Sequence, residues 1–160
     1  MSRRLLPIVA ACVLGAPGAS WAAISFQLTV TPSSISFADA NPTTTPSIVA
    51  NSTVFVVLKV SGAGSTLWSV GALANGDLVS GGNSISIANL TWTVSGPFNG
   101  SCQCSCHAGT LSKVSRQVIF NGQGNTTNSP VCTQTFSLVN GWSYRVGAYS
   151  QTVTITATSP

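Results

Sequence analysis

The sequence predicts an all-β chain that folds as a two-layer antiparallel sandwich. Three observations predict it. First, residues 147–158 alternate: Tyr149, Gln151, Val153, Ile155 and Ala157 share one parity, and Ser150, Thr152, Thr154, Thr156 and Thr158 share the other. Side chains on a strand alternate faces, so from Val153 onward this run reads as an apolar face backed by a Thr ladder. Second, four Asn-Gly dipeptides, at Asn75, Asn99, Asn121 and Asn140, fall between β-like runs, where such pairs make tight turns. Third, Glu is absent and no stretch carries a helical period of useful length.

The first 22 residues read as a signal peptide. Arg3 and Arg4 form a short basic start, residues 5–14 are mostly apolar, and Gly15, Pro17 and Gly18 break the run. Ser20-Trp21-Ala22 then offers small residues where a signal peptidase reads them. The segment is too short and too broken to span a membrane. A rival route is Val9-Ala10-Ala11-Cys12, which resembles a lipobox and makes Cys12 a lipidated terminus. Cleavage after Ala22 leaves 23–160 as a single domain, exported to the periplasm, cell surface or medium.

Within that domain, Ile24, Phe26, Leu28 and Val30 lie on one face of a strand over 24–30. Pro32 interrupts it and residues 35–37 resume it, the mark of an edge strand that changes partner or sheet. Residues 39–47 hold Pro42, Pro46 and a Thr run, and read as a loop. Residues 52–60 are the most apolar stretch after the signal peptide. They read as a central strand with Val54, Val56, Leu58 and Val60 inward. Strands follow at 66–73, with Trp68, and briefly at 78–79. The runs 84–87 and 90–94 read as a strand pair or one bulged strand. Residues 96–100 form a loop. Further strands are expected at 111–120 and 131–139, with a long turn at 121–125 between them. Residues 142–146 lead into the terminal strand. Short strands at this spacing are those of an immunoglobulin-like sandwich.

Charge is sparse. Lys59, Lys113, Arg116 and Arg145 face only Asp39 and Asp77 after residue 22. So few and scattered cations leave no footprint for nucleic acid.

One segment is chemically loud: Cys102-Gln103-Cys104-Ser105-Cys106-His107, with Cys132 the only other cysteine of the domain. In an exported chain the first reading is disulfides, with Cys132 bound to one of Cys102, Cys104 or Cys106. The alternative is a soft thiolate metal site made from Cys102, Cys104, Cys106 and His107, although C-x-C-x-C is not the usual zinc spacing. A third reading is haem, since Cys102 to His107 is a near-miss of C-x-x-C-H, but a second axial ligand is missing. No cofactor is expected. Hydrolytic catalysis would have only His107 with Asp39 or Asp77, both in turns where Asp serves the turn itself, so no enzyme is expected. Trp68 and Trp92 are expected in the core, and Tyr149 as a corner tyrosine bonded to backbone. The alternative for the aromatics is a surface row of Trp142, Tyr144 and Tyr149 that stacks on a sugar ring.

Trp68 followed by Asn75-Gly76-Asp77-Leu78, the run 85–92, and Gly147-x-Tyr149-Ser150-x-Thr152-Val153-Thr154-x-Thr156 together resemble exported bacterial surface β-sandwich proteins. These include pilin-like subunits and cell-surface WxL-type domains. The resemblance implies a structural or adhesive role and carries over no catalytic residue. It also implies a protein partner or self-assembly through edge strands. The strand bearing Ile24, Phe26, Leu28 and Val30 is the expected interaction element: it pairs inside its own sandwich or inserts into a neighbouring subunit. A carbohydrate- or metal-binding module is the second expectation.

Overall fold

A computed structural model describes residues 4–12, 23–94 and 102–160, the first of these segments by its backbone alone. The expected cleavage site at 20–22 and the loop at 96–100 lie outside the described residues. The strands, in chain order, are β1 (Arg4–Cys12), β2 (Ser25–Thr31), β3 (Ser34–Phe37), β4 (Ser47–Val49), β5 (Val54–Ser61), β6 (Leu67–Ala74), β7 (Leu78–Ser80) and β8 (Asn83–Ile85). After a single 3₁₀ turn at Ile87–Asn89 come β9 (Leu90–Val94), β10 (Gln103–Cys106), β11 (Gly109–Thr110), β12 (Gln117–Gln123), β13 (Val131–Val139) and β14 (Val153–Thr158). Among the described residues no α-helix occurs, and none is long and apolar enough to cross a membrane.

Two sheets form the layers. One runs β10-β12-β6-β14-β1-β3; the other runs β11-β9-β13-β5-β2, with β4 also on β13. β7 and β8 make a separate hairpin. β13 is the spine of the second sheet. It pairs β9 on one side, and on the other it pairs β5 through residues 131–134 and β4 through 137–139. The ladders are antiparallel except that of β1 with β14, which is parallel.

The central strand lies where its composition put it. β5 sits between β13 and β2, and Val54, Val56, Leu58 and Val60 are buried. They join one core with Trp68, Val70, Ala72 and Ala74 from β6 and Val153, Ile155 and Ala157 from β14. Burying these side chains is the main favourable term in folding. The Pro-interrupted strand changes sheet as expected: β2 borders the second sheet and β3 the first.

Several boundaries differ from the sequence reading, among them that of the terminal strand, which begins only at Val153. The strand expected at 111–120 begins only at Gln117, because Ser112 turns the chain by accepting bonds from the backbone N–H of Val114 and Ser115. Its far end runs through Asn121 and Gly122, which the dipeptide rule had placed in a turn. Gly122 is needed inside the strand because a Cβ there would meet Cys104 Cβ at 2.6 Å and would run into the Trp68 ring. Residues 103–106, left unassigned as part of the cysteine cluster, form β10 against β12. The largest difference is β1. The segment assigned to a signal peptide pairs as a strand within the first sheet.

Candidate functional site

The cysteines sort into two pairs at disulfide distance. Cys106 and Cys132 have Cα atoms 5.8 Å apart, and Cys102 and Cys104 have theirs 5.3 Å apart. Cys106 is on β10 of one sheet and Cys132 on β13 of the other, so this pair ties the two layers. His107 is exposed, and its Nε2 lies 2.9 Å from Asn121 Oδ1. The set Cys102, Cys104, Cys106 and His107 is therefore not gathered round one point. Among the described residues no three Cys, His, Asp or Glu side chains are grouped as a metal requires.

The two core tryptophans reinforce the same side. Trp68 Nε1 donates to the Gly124 carbonyl at 2.9 Å and Trp92 Nε1 to the His107 carbonyl at 2.7 Å. Trp68 meets Phe120 edge to face, with ring centroids 5.1 Å apart.

Of the two carboxylates, Asp77 is a turn organiser. Its Oδ1 accepts from the Ile87 N–H at 3.0 Å, its Oδ2 from Lys113 Nζ at 2.5 Å, and its carbonyl from Gln151 Nε2 at 2.7 Å. The Lys113 bond, then the Ile87 bond, hold its carboxyl below the usual range. Such a group is kept ionised by the segments it joins.

The expected aromatic row is split. Tyr149 is buried, and its hydroxyl donates to the Arg145 carbonyl at 2.9 Å, the corner arrangement expected from sequence. Trp142 stays exposed. Tyr144 is half-buried and its hydroxyl accepts from Asn89 Nδ2 at 2.7 Å.

Ile24, Phe26, Leu28 and Val30 lie half-buried against the core. The backbone of β2 pairs with β5 along its whole length, from Ser25↔Ser61 to Thr31↔Phe55.

The feature that sequence reasoning missed is the seam between β3 and β14. β1 bridges it in two halves: residues 4–7 pair with β3, and residues 8–12 pair with β14, from Ile8↔Val153 to Cys12↔Ala157. The change of partner falls at Pro7, which has no N–H to give a ladder. The side chains flanking the seam are buried core residues: Ile35 and Phe37 from β3, Val153, Ile155 and Ala157 from β14. One signal for β1 was available. Residues 5–11 are apolar on both parities, as in a strand covered on both faces. The same composition is that of a signal-peptide core, and periodicity cannot separate the two.

No protein-family model matches this chain, and no curated protein matches it.

Proposed function

We propose that this chain is an exported, non-enzymatic structural subunit of the bacterial cell surface. On this reading it is an immunoglobulin-like, pilin-like sandwich that joins a protein partner or further copies of itself by strand addition. One observation carries the reading: the strand bridging β3 and β14 comes from residues 4–12, inside the segment read as a removable signal peptide. Once that segment is cut away after Ala22, β3 loses the partner of residues 34–37 and β14 that of residues 153–157, two consecutive halves of one vacant strand position. Their backbone groups lose partners, on strands that carry the core side chains Ile35, Phe37, Val153, Ile155 and Ala157. Unpaired N–H and C=O groups beside an apolar core are costly, and they template any extended segment that fits. A strand supplied by another molecule restores the ladders through main-chain bonds and fills the core through alternate side chains. Such a contact is heterologous, so it can repeat head to tail.

The internal pairing of β2 bears on the donor. To insert elsewhere, the strand bearing Ile24, Phe26, Leu28 and Val30 must first leave β5. The vacant position therefore defines the accepting end of the contact more sharply than the giving end.

The test is chain 23–160, secreted and purified, with and without a synthetic peptide of residues 4–12. The expected result is a protein that is oligomeric or aggregation-prone alone. The peptide should make it monomeric and raise its thermal midpoint. A 23–160 chain that is monomeric, cooperative in unfolding and indifferent to the peptide would overturn the proposal.

A further inference from the structure

One end of the sandwich carries a pocket that neither the cysteine pairs nor the seam uses. Its cavity is about 360 Å³, where residues 39–42 meet residues 140–146. That is within the size range of small-molecule sites. Its lining includes Asp39, Asn41, Asn140, Trp142, Tyr144 and Arg145.

Trp142 is the anomaly. It is 73% exposed, while Trp68 and Trp92 are buried. An exposed indole has no folding role to explain it, and it is the side chain best suited to give a ligand a flat apolar face. The walls around it are fixed. Asn140 Nδ2 donates to the carbonyls of Ala40 and Thr45, both at 3.0 Å, and the Asn140 N–H donates to the Pro46 carbonyl at 2.8 Å. The Tyr144 hydroxyl is held by Asn89, and the Arg145 carbonyl by Tyr149. The backbone is thus pinned while the Trp142 ring and the exposed Arg145 head face solvent.

We propose that this pocket binds a neutral pyranose unit of a glycan. The sugar ring lies on the Trp142 face. Arg145 donates to its hydroxyls, and the Asp39 carboxylate and Asn140 carbonyl oxygen accept from them. The lining holds one anion and one cation, so it makes no net field that would select a charged ligand. A peptide strand would need a free sheet edge. Residues 39–42 and 140–146 are loops, and they offer none.

The experiment titrates the full chain calorimetrically with four neutral tetrasaccharides built on glucose, mannose, galactose and N-acetylglucosamine. Saturable binding of at least one is expected. Trp142→Ala should lower its affinity about tenfold or more, Trp142→Phe should keep most of it, and Arg145→Gln should weaken it less. An unchanged thermal midpoint in Trp142→Ala establishes that the fold is intact; should that midpoint fall, Trp142→Phe and Arg145→Gln carry the comparison. The proposal is overturned if none of the four binds, if a uronate oligosaccharide binds where they do not, or if Trp142→Ala binds as well as the parent. Its outcome is independent of whether the seam accepts a strand.

Discussion

The two sides of the sandwich are closed in different ways. On the β10–β12–β6 side the layers are tied from within residues 23–160. Cys106 meets Cys132 across the sheets, and Trp68 and Trp92 each anchor an indole N–H on a carbonyl far along the chain. On the β14–β3 side β3 is tied to the second sheet through Ala50 and Asn51, but β3 and β14 are joined to each other by β1, a strand from the segment read as removable. The core is equally buried on both sides. The difference teaches that burial alone does not tell a self-sufficient edge from a borrowed one; the origin of the covering strand does.

The sealed side should be the harder to breach, and the largest effect is expected at its centre. Trp92→Ala removes a buried indole, its contact with Phe136 and its bond to the His107 carbonyl. The expected loss is about 3–5 kcal/mol, read from the urea midpoint at unchanged slope. A loss under about 1 kcal/mol would mean that the side is not held as described. Next is the cysteine tie. Cys132→Ser should cost about 2–4 kcal/mol, because the pair closes a loop of 26 residues. Free-thiol titration of the unreduced protein checks the premise, and four titratable thiols in 23–160 would remove it.

Legibility followed the same division. β5, β6, β9, β13 and β14 could be read from period, β-branched content and flanking turns. The sheet change at Pro32 and the corner role of Tyr149 were readable too. Asn121-Gly122 was misread because the dipeptide rule sees only local chemistry. The reason for that glycine is Trp68, a residue far away in sequence that needs the space. The partner of Cys132 was left as one of three, since the choice depends on which cysteine of β10 lies opposite β13. The seam was not legible, because its one signal is ambiguous. Its strand carries the composition of a signal peptide, and its two neighbours, β3 and β14, lie at opposite ends of the chain.

A third prediction has the opposite sign. Gln134 is fully buried on β13, between Val54 of β5 and Val94 of β9, and neither polar atom of its side chain has a hydrogen-bond partner among the described residues. A buried amide without partners costs about 1–3 kcal/mol. Gln134→Leu nearly conserves volume and removes that cost, so it should raise stability by about 1–2 kcal/mol. A clear loss on chemical denaturation would show that Gln134 is satisfied by water, and that the interior beside Cys132 is wetter than the rest of the sealed side.

The smallest effect concerns the end of the molecule where β14 begins. Asp77 joins three segments there: the 3₁₀ turn through Ile87, the 112–116 loop through Lys113, and the approach to β14 through Gln151. Its folded pKa is lowered, first by the Lys113 bond and then by the Ile87 N–H. A depressed carboxylate contributes stability that is fully present above its unfolded value, near about 3.9. That contribution is lost as pH falls through the lower folded value. The protein should therefore lose stability on acidification from about pH 4 downward, and Asp77→Asn should flatten that part of the profile by lowering stability modestly at neutral pH and hardly at all in acid. Lys113→Ala should flatten it but not abolish it, because the Ile87 bond remains. Lys113 is largely exposed, so added salt should shrink the Lys113 part and spare the Ile87 part. If acid opens this end first, amide exchange at low pH will speed up in residues 75–78 and 150–153 before it does in β10 and β12. Uniform exchange across both sides would mean that Asp77 tunes the whole domain and that its end of β14 has no separate weakness.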